Sequence, residues 1–200
     1  MNKKTFLGAV GAWLLVAGAV QAAGDPAAGK EKFYTCEGCH SIPSYSNAYP
    51  SYHVPKIGGQ TEPYLVSALQ AYKTGARKHA SMNGNAGSLS EQDIADIAAY
   101  LTQLEGREQE GPVTGDVDQG KQVAAKCASC HGEDGNPPAP NFPRLAGQYE
   151  SYLVKAIQDY QTGKRANPVM QSMVQGLSEE DVKNVSAYYA SKVGLSVVKD

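Results

Sequence analysis

Cys36-Glu37-Gly38-Cys39-His40 and, further along, Cys127-Ala128-Ser129-Cys130-His131 decide how this chain of 200 residues is read. Both are Cys-x-x-Cys-His, the pattern of a c-type haem attachment site. Two thiols one helical turn apart reach the two vinyl groups on one edge of a porphyrin. The adjacent histidine then lies beneath the ring, where one imidazole nitrogen takes an axial position on iron. A four-cysteine zinc site is the competing reading, because Cys-x-x-Cys pairs also bind zinc. It leaves both histidines unexplained and must bring the two halves of the chain to one ion. A thioredoxin-like redox pair would need a βαβ setting that the sequence lacks. The expected cofactors are therefore two covalently bound haem c groups.

Working outward from the two signatures exposes a repeat. At an offset of 91, Gly24-Asp25 meets Gly115-Asp116, Gly29-Lys30 meets Gly120-Lys121, and the signatures coincide. Downstream the offset becomes 88. Pro55, Gly59, Gln60, Tyr64 and Leu65 then fall on Pro143, Gly147, Gln148, Tyr152 and Leu153. Thr74-Gly75, Arg77, Met82, Ser90 and Asp93 fall on Thr162-Gly163, Arg165, Met170, Ser178 and Asp181. The slip of three residues lies in the loop after each haem histidine, longer in the first half. Two copies of one small domain follow, residues 23–106 and 115–200, with the polar, Gly- and Pro-punctuated segment 107–114 as linker.

The N-terminus reads as an export signal over residues 1–22. Lys3 and Lys4 precede an apolar run of about 15 residues from Phe6 to Val20, and Val20-Gln21-Ala22 is a small-x-small cleavage site. The run is short for a membrane span, which takes about 20 residues. Localisation in the periplasm follows, where haem is attached and where all four cysteines are used without disulfides. Losing Lys3 and Lys4 takes the formal charge from −2 to −4. No basic stripe remains, so nucleic acid is excluded as a partner. Trp13 leaves with the leader, and Phe33 and Phe142 are the remaining phenylalanines. A core so poor in large side chains needs a buried porphyrin to complete it.

The mature chain reads as all-α. Thr61-Glu62-Pro63 opens a helix with Tyr64, Leu65, Ala68, Leu69 and Tyr72 on one face, stopped by Gly75. Ser90-Glu91-Gln92-Asp93 resembles a capping box ahead of the stripe Ile94, Ile97, Ala98, Leu101 and Leu104. A short helix from Pro26 or Ala27 runs into the first haem signature. Segments 41–60 and 132–148, rich in Pro and Gly, read as loops around a cofactor.

The sixth ligand decides between a carrier and an enzyme. Methionine closes the iron and raises its potential. Met82 and Met170 coincide in the repeat, each eight residues ahead of its capping serine. Met173 competes with Met170, but its repeat partner is Asn85, so Met170 is favoured and Met173 is assigned to packing. The axial set is thus His40, Met82, His131 and Met170. His53 and His79 pair with Asn141 and Asn167, which argues for hydrogen bonding rather than iron ligation. Arg77 and Arg165 have two readings, donors to haem propionates or cations beyond a helix C-terminus. Pro43, Pro138 and Pro140 are candidates to line the histidine side and offer a carbonyl to the imidazole N–H.

On these residues the chain resembles dihaem cytochromes c of the cytochrome c4 family. The likeness rests on the doubled signature, on Asn136-Pro137-Pro138-Ala139-Pro140-Asn141-Phe142-Pro143-Arg144-Leu145-Ala146-Gly147-Gln148, and on Asn167-Pro168-Val169-Met170 before Leu177-Ser178. The first half departs from the pattern in its longer, tyrosine-rich segment 41–55 and in Lys78-His79-Ala80-Ser81-Met82. The resemblance implies two tandem class I cytochrome c domains, each wrapped around one covalent haem and packed about a pseudo-twofold axis. It implies an electron carrier between a quinol-oxidising complex and a terminal oxidase or reductase, free or peripherally associated with a membrane. The alternative is the dihaem subunit of a larger dehydrogenase, such as a flavocytochrome c sulfide dehydrogenase.

Overall fold

The computed structural model describes residues 23–106 and 111–199; the leader and the first half of the expected linker, residues 107–110, lie outside them. The described residues are mostly helical. The first half runs α1 (Pro26–Lys32), α2 (Tyr34–His40), a two-strand antiparallel hairpin β1 (Ser46–Asn47) and β2 (Tyr52–His53), α3 (Glu62–Lys73), α4 (Ala80–Gly87) and α5 (Glu91–Thr102). The second half runs α6 (Val117–Ala124), α7 (Ala128–His131), α8 (Glu150–Gln161), α9 (Pro168–Val174) and α10 (Glu179–Ala190).

Local sequence accounts for several helix ends. Asp25 and Asp116 cap α1 and α6, each carboxylate accepting two backbone N–H bonds. Ser90 with Asp93, and Ser178 with Asp181, form complete capping boxes on α5 and α10. Thr61 sits at the N-cap of α3 but makes no side-chain cap; its hydroxyl donates to Phe142 O at 3.1 Å, in the other half. Gly75 and Gly163 follow α3 and α8 with φ of 75° and 71°, the left-handed turn that glycine allows.

Each half is built on one crossing of its first and last helices, α1 on α5 and α6 on α10. Gly29 and Gly120 make the crossing possible: a Cβ on either would lie 2.0 Å from the carbonyl oxygen of Asp96 or Asn184. Phe33, Leu65, Ile97, Ala98, Tyr100 and Leu101 form the first core. Ala124, Leu153, Val185, Tyr188 and Tyr189 form the second. Val198, at the far end of the chain, is buried in the first core rather than the second. Its segment pairs there, with Gly58 and Ser196 exchanging backbone hydrogen bonds of 3.0 Å each way.

The helix crossings differ in one ion pair. In the first half Asp96, 2% exposed, accepts from Asp25 N–H at 2.8 Å and from Lys32. In the second, Asn184 accepts from Asp116 N–H at 2.8 Å, and Val123 stands where Lys32 would be. The Lys32 ammonium, then the Asp25 N–H, hold the Asp96 carboxyl below its ordinary range. A depressed carboxyl stabilises the fold above the unfolded pKa, about 3.9, and that stability is lost as pH falls through the lower folded value. Acid is therefore expected to loosen α1 from α5 before it loosens α6 from α10. Asp96→Asn should flatten this acid limb. Unfolding followed by circular dichroism between neutral pH and about pH 2 checks it, and an unchanged acid limb in the variant would refute the assignment.

Candidate haem centres

Helix α2 carries Cys36, Cys39 and His40, and α7 with its N-cap Cys127 carries Cys130 and His131. Spacings of three and four residues put thiols and imidazole on one helix face. None of the four cysteines is in a disulfide. Burial pushes the Cys36 and Cys127 thiols above their ordinary pKa, the opposite of what a redox-active pair needs. Among the described residues no group of three or more His, Cys, Asp or Glu is arranged to hold a metal ion, which removes the four-cysteine zinc reading.

The histidines are buried and committed. His40 Nδ1 donates to Pro55 O at 2.9 Å, and His131 Nδ1 donates to Pro143 O at 3.0 Å. A carbonyl can only accept, so Nδ1 carries the proton and Nε2 keeps a lone pair with which it can ligate a metal. Burial lowers both imidazole pKa values, against the opposing effect of the carbonyl bond. The neutral form, the one that ligates metal, is thereby favoured. The carbonyls are those of Pro55 and Pro143, not of Pro43, Pro138 or Pro140 as the sequence suggested. Pro55 and Pro143 coincide at the offset that continues through Gly59 and Gly147, which was the available signal.

Met82 and Met170 occupy the third positions of α4 and α9. Each backbone N–H is fixed by the N-cap side chain: Met82 N–H donates to His79 Nδ1 at 3.4 Å, and Met170 N–H to Asn167 Oδ1 at 3.0 Å. His79 and Asn167 thus share a capping role, which explains why histidine in one half pairs with asparagine in the other. His53 bonds Ser151 Oγ at 2.7 Å and stacks on Tyr149 at 4.6 Å between ring centres. Met173 is 45% exposed.

Both signatures, both methionines and both arginines line one continuous cavity of about 1420 Å³ that spans the two halves. Small-molecule sites run to roughly 1,000 Å³, so this space exceeds a single small ligand. Its walls are largely apolar, with Leu69, Ile97 and Leu101 from the first half and Leu153, Ile157 and Val185 from the second. Arg77 and Arg165 meet in an antiparallel backbone bridge at the boundary. Each guanidinium lies over a tyrosine of its own half, Arg77 on Tyr72 at 4.5 Å and Arg165 on Tyr160 at 4.6 Å. Each also donates to the other half's tyrosine, Arg77 to Tyr152 at 2.6 Å and Arg165 to Tyr64 at 2.9 Å.

Burial alone would raise the Tyr64 phenol, but Arg165 and Arg77 outweigh it and bring it down to about 7. Two buried cations whose partners here are phenols leave the cavity short of negative charge. Arg144 Nε, also at the cavity wall, is buried without a hydrogen-bond partner. Two porphyrins bring what this space calls for: apolar rings, thioether-forming vinyl edges, two irons for the imidazoles and thioethers, and carboxylates for the guanidiniums. The residues fit the group.

The tyrosine-rich segment 41–55 serves the boundary between the halves. Ser44 N–H donates to Tyr149 OH at 2.9 Å, His53 N–H to Ser151 Oγ at 3.1 Å, and Tyr52 faces Tyr152 at 6.5 Å between ring centres. Tyr49 at its tip is 95% exposed.

Known proteins resemble this chain in sequence and in fold. The family model described as Cytochrome c matches residues 26–105 and 117–191. Cytochrome c4 of Azotobacter vinelandii is 34% identical over 202 residues, covering 86% of this chain and 91% of that protein. Among solved structures, reduced recombinant cytochrome c4 from Pseudomonas stutzeri superposes with a TM-score of 0.71 at 30% identity, covering 85% of this chain and 100% of that one. Thiosulfate dehydrogenase from Marichromatium purpuratum superposes with a TM-score of 0.68 at 27% identity, covering 78% of this chain and 36% of that one.

Proposed function

The chain belongs to the cytochrome c family, in its dihaem cytochrome c4 group, and carries two covalent haem c groups; from that premise we propose that it is a periplasmic shuttle passing single electrons from a quinol-oxidising complex to a terminal oxidase or reductase. When bound, each haem supplies an iron that takes up and releases one electron between its ferric and ferrous states. The protein's residues hold, insulate and tune. Cys36, Cys39, Cys127 and Cys130 bind the porphyrins, His40 with Met82 and His131 with Met170 close the irons, and Arg77 and Arg165 balance propionate charge. The domains are residues 23–106 and 115–200, delivered by the leader at 1–22 and joined through 107–114.

One observation carries this reading. In both halves the imidazole Nδ1 is bonded to a proline carbonyl, and the methionine is held by an N-cap bond, on the wall of one shared apolar cavity. Two irons each with histidine and methionine leave no position for an oxygen substrate, which favours a carrier over a peroxidase. A second reading, an electron-accepting module held permanently by a dehydrogenase, draws support from the likeness to the thiosulfate dehydrogenase chain. Co-purification of a second polypeptide from the native membrane and periplasmic fractions separates the two.

Intact-mass spectrometry of the denatured, exported protein should give a chain starting at Ala23 plus two haems, because thioether bonds survive denaturation. An unmodified chain, or one with a single haem, would defeat the proposal. Reduced protein mixed with hydrogen peroxide should oxidise slowly and without turnover; fast, saturable oxidation would make it an enzyme.

A further inference from the structure

Gln60 and Gln148 are buried, 5% and 4% exposed, and each spends its side chain on the opposite half. Gln148 Oε1 accepts from Lys56 N–H at 2.9 Å and its Nε2 donates to Lys56 O at 2.9 Å. Gln60 does the same in reverse: Oε1 accepts from Arg144 N–H at 2.8 Å and Nε2 donates to Arg144 O at 3.0 Å. Each Oε1 also accepts the N–H of the residue that follows it, Thr61 or Tyr149. With two N–H groups on one side and a carbonyl on the other, the amide orientation is fixed by its partners. The side chains of the clamped residues cross back as well, Lys56 Nζ to Gly147 O at 2.8 Å and Arg144 Nη1 to Gly59 O.

The clamped peptides are the ones that hold the histidines. Pro55 C=O and Lys56 N–H belong to one peptide group, as do Pro143 C=O and Arg144 N–H. A continuous chain therefore runs from His40 Nδ1–H through peptide 55–56 to Gln148, and another from His131 Nδ1–H through peptide 143–144 to Gln60. Hydrogen bonds in series polarise one another. An N–H bonded to a glutamine oxygen makes the carbonyl of the same peptide a stronger acceptor. A stronger acceptor at Nδ1–H makes the imidazole a more basic ligand, which favours ferric over ferrous iron.

We propose that Gln148 and Gln60 are positioning residues that set the potential of the haem in the opposite half, Gln148 for the first and Gln60 for the second. This rests on His40 and His131 being the axial ligands.

The test is a redox titration of the full holoprotein carrying Gln148→Met or Gln60→Met, with each haem followed through its own hyperfine-shifted methyl signals. Gln148→Met should move the first haem's reduction equilibrium severalfold towards the ferrous form and the second haem little. Gln60→Met should do the reverse. A shift confined to the variant's own half, equal shifts in both, or no shift would overturn the proposal. If a methionine variant does not fold, the glutamate variants take its place in the same titration. They keep a stronger acceptor for the peptide N–H, and must move the opposite haem towards the ferric form more than their own. Failure of the ligand assignment would appear separately, as a wild-type spectrum without two histidine–methionine signal sets.

Discussion

Met82→Ala and Met170→Ala are each expected to remove one of the two sulfur-ligated haem signals and to lower that haem's potential by more than any other single substitution in the chain. A thioether stabilises ferrous iron relative to ferric, so its loss favours the oxidised state. Axial ligands span about 0.8 V across haem proteins, far beyond what a hydrogen bond to the histidine supplies. The N-caps make the two variants comparable, because the backbone at each methionine is held by His79 or Asn167 and not by the thioether. Met173→Ala should leave both signals intact, as its side chain is substantially exposed one turn beyond Met170. The readout is the weak red absorption band of ferric iron bonded to sulfur, with a potentiometric titration alongside. If Met173→Ala halves that band and Met170→Ala spares it, the ligand of the second haem is Met173.

Gly29→Ala and Gly120→Ala should cost the most stability for the least added mass. A methyl group at either position meets a backbone oxygen at 2.0 Å and a tyrosine Cβ at 2.9 or 2.8 Å, on Tyr100 or Tyr188. A backbone carbonyl inside α5 or α10 cannot swing aside, so the first helix of that half must lift off. Overpacking costs up to about 3 kcal/mol, while alanine returns about 1 kcal/mol of helix propensity. A net loss of roughly 2 kcal/mol is expected for each variant. Gly38→Ala is the control: nothing lies within 4 Å of its Cβ position. Denaturant titration of the three holoproteins decides the matter, and a Gly29→Ala midpoint at or above wild type would show that the crossing is not close-packed.

The sequence made legible whatever is local or repeated. The doubled Cys-x-x-Cys-His, the capping boxes at Ser90 and Ser178, and the stripe through Ile97 and Leu101 are each signalled within a turn or two of chain. Arg77, Arg165, Gln60 and Gln148 were visible as repeated positions, but their partners were not. Arg77 meets Tyr152, and Gln148 meets Lys56, because the halves dock in one particular way, and no local pattern encodes docking. The tail is similar: Val198 belongs to the second half by sequence and to the first by burial. The longer segment 41–55 stood out as a departure from the repeat, and its work at the boundary emerges only once Tyr149 and Ser151 are beside it.

The contacts across the boundary come in exchanged pairs, Arg77 to Tyr152 with Arg165 to Tyr64, and Gln148 to Lys56 with Gln60 to Arg144. That is the isologous pattern of a homodimer, in which residue i of one copy meets residue j of the other and the reverse. In a homodimer every mutation is made twice, so the two sites stay identical. Here both copies lie on one polypeptide and a mutation lands on one side only. Asp96 against Asn184, Lys56 against Arg144, and an insert in one loop but not its twin are asymmetries that a symmetric dimer cannot acquire. Fusion keeps the self-complementary surface and frees each redox centre to drift to its own potential.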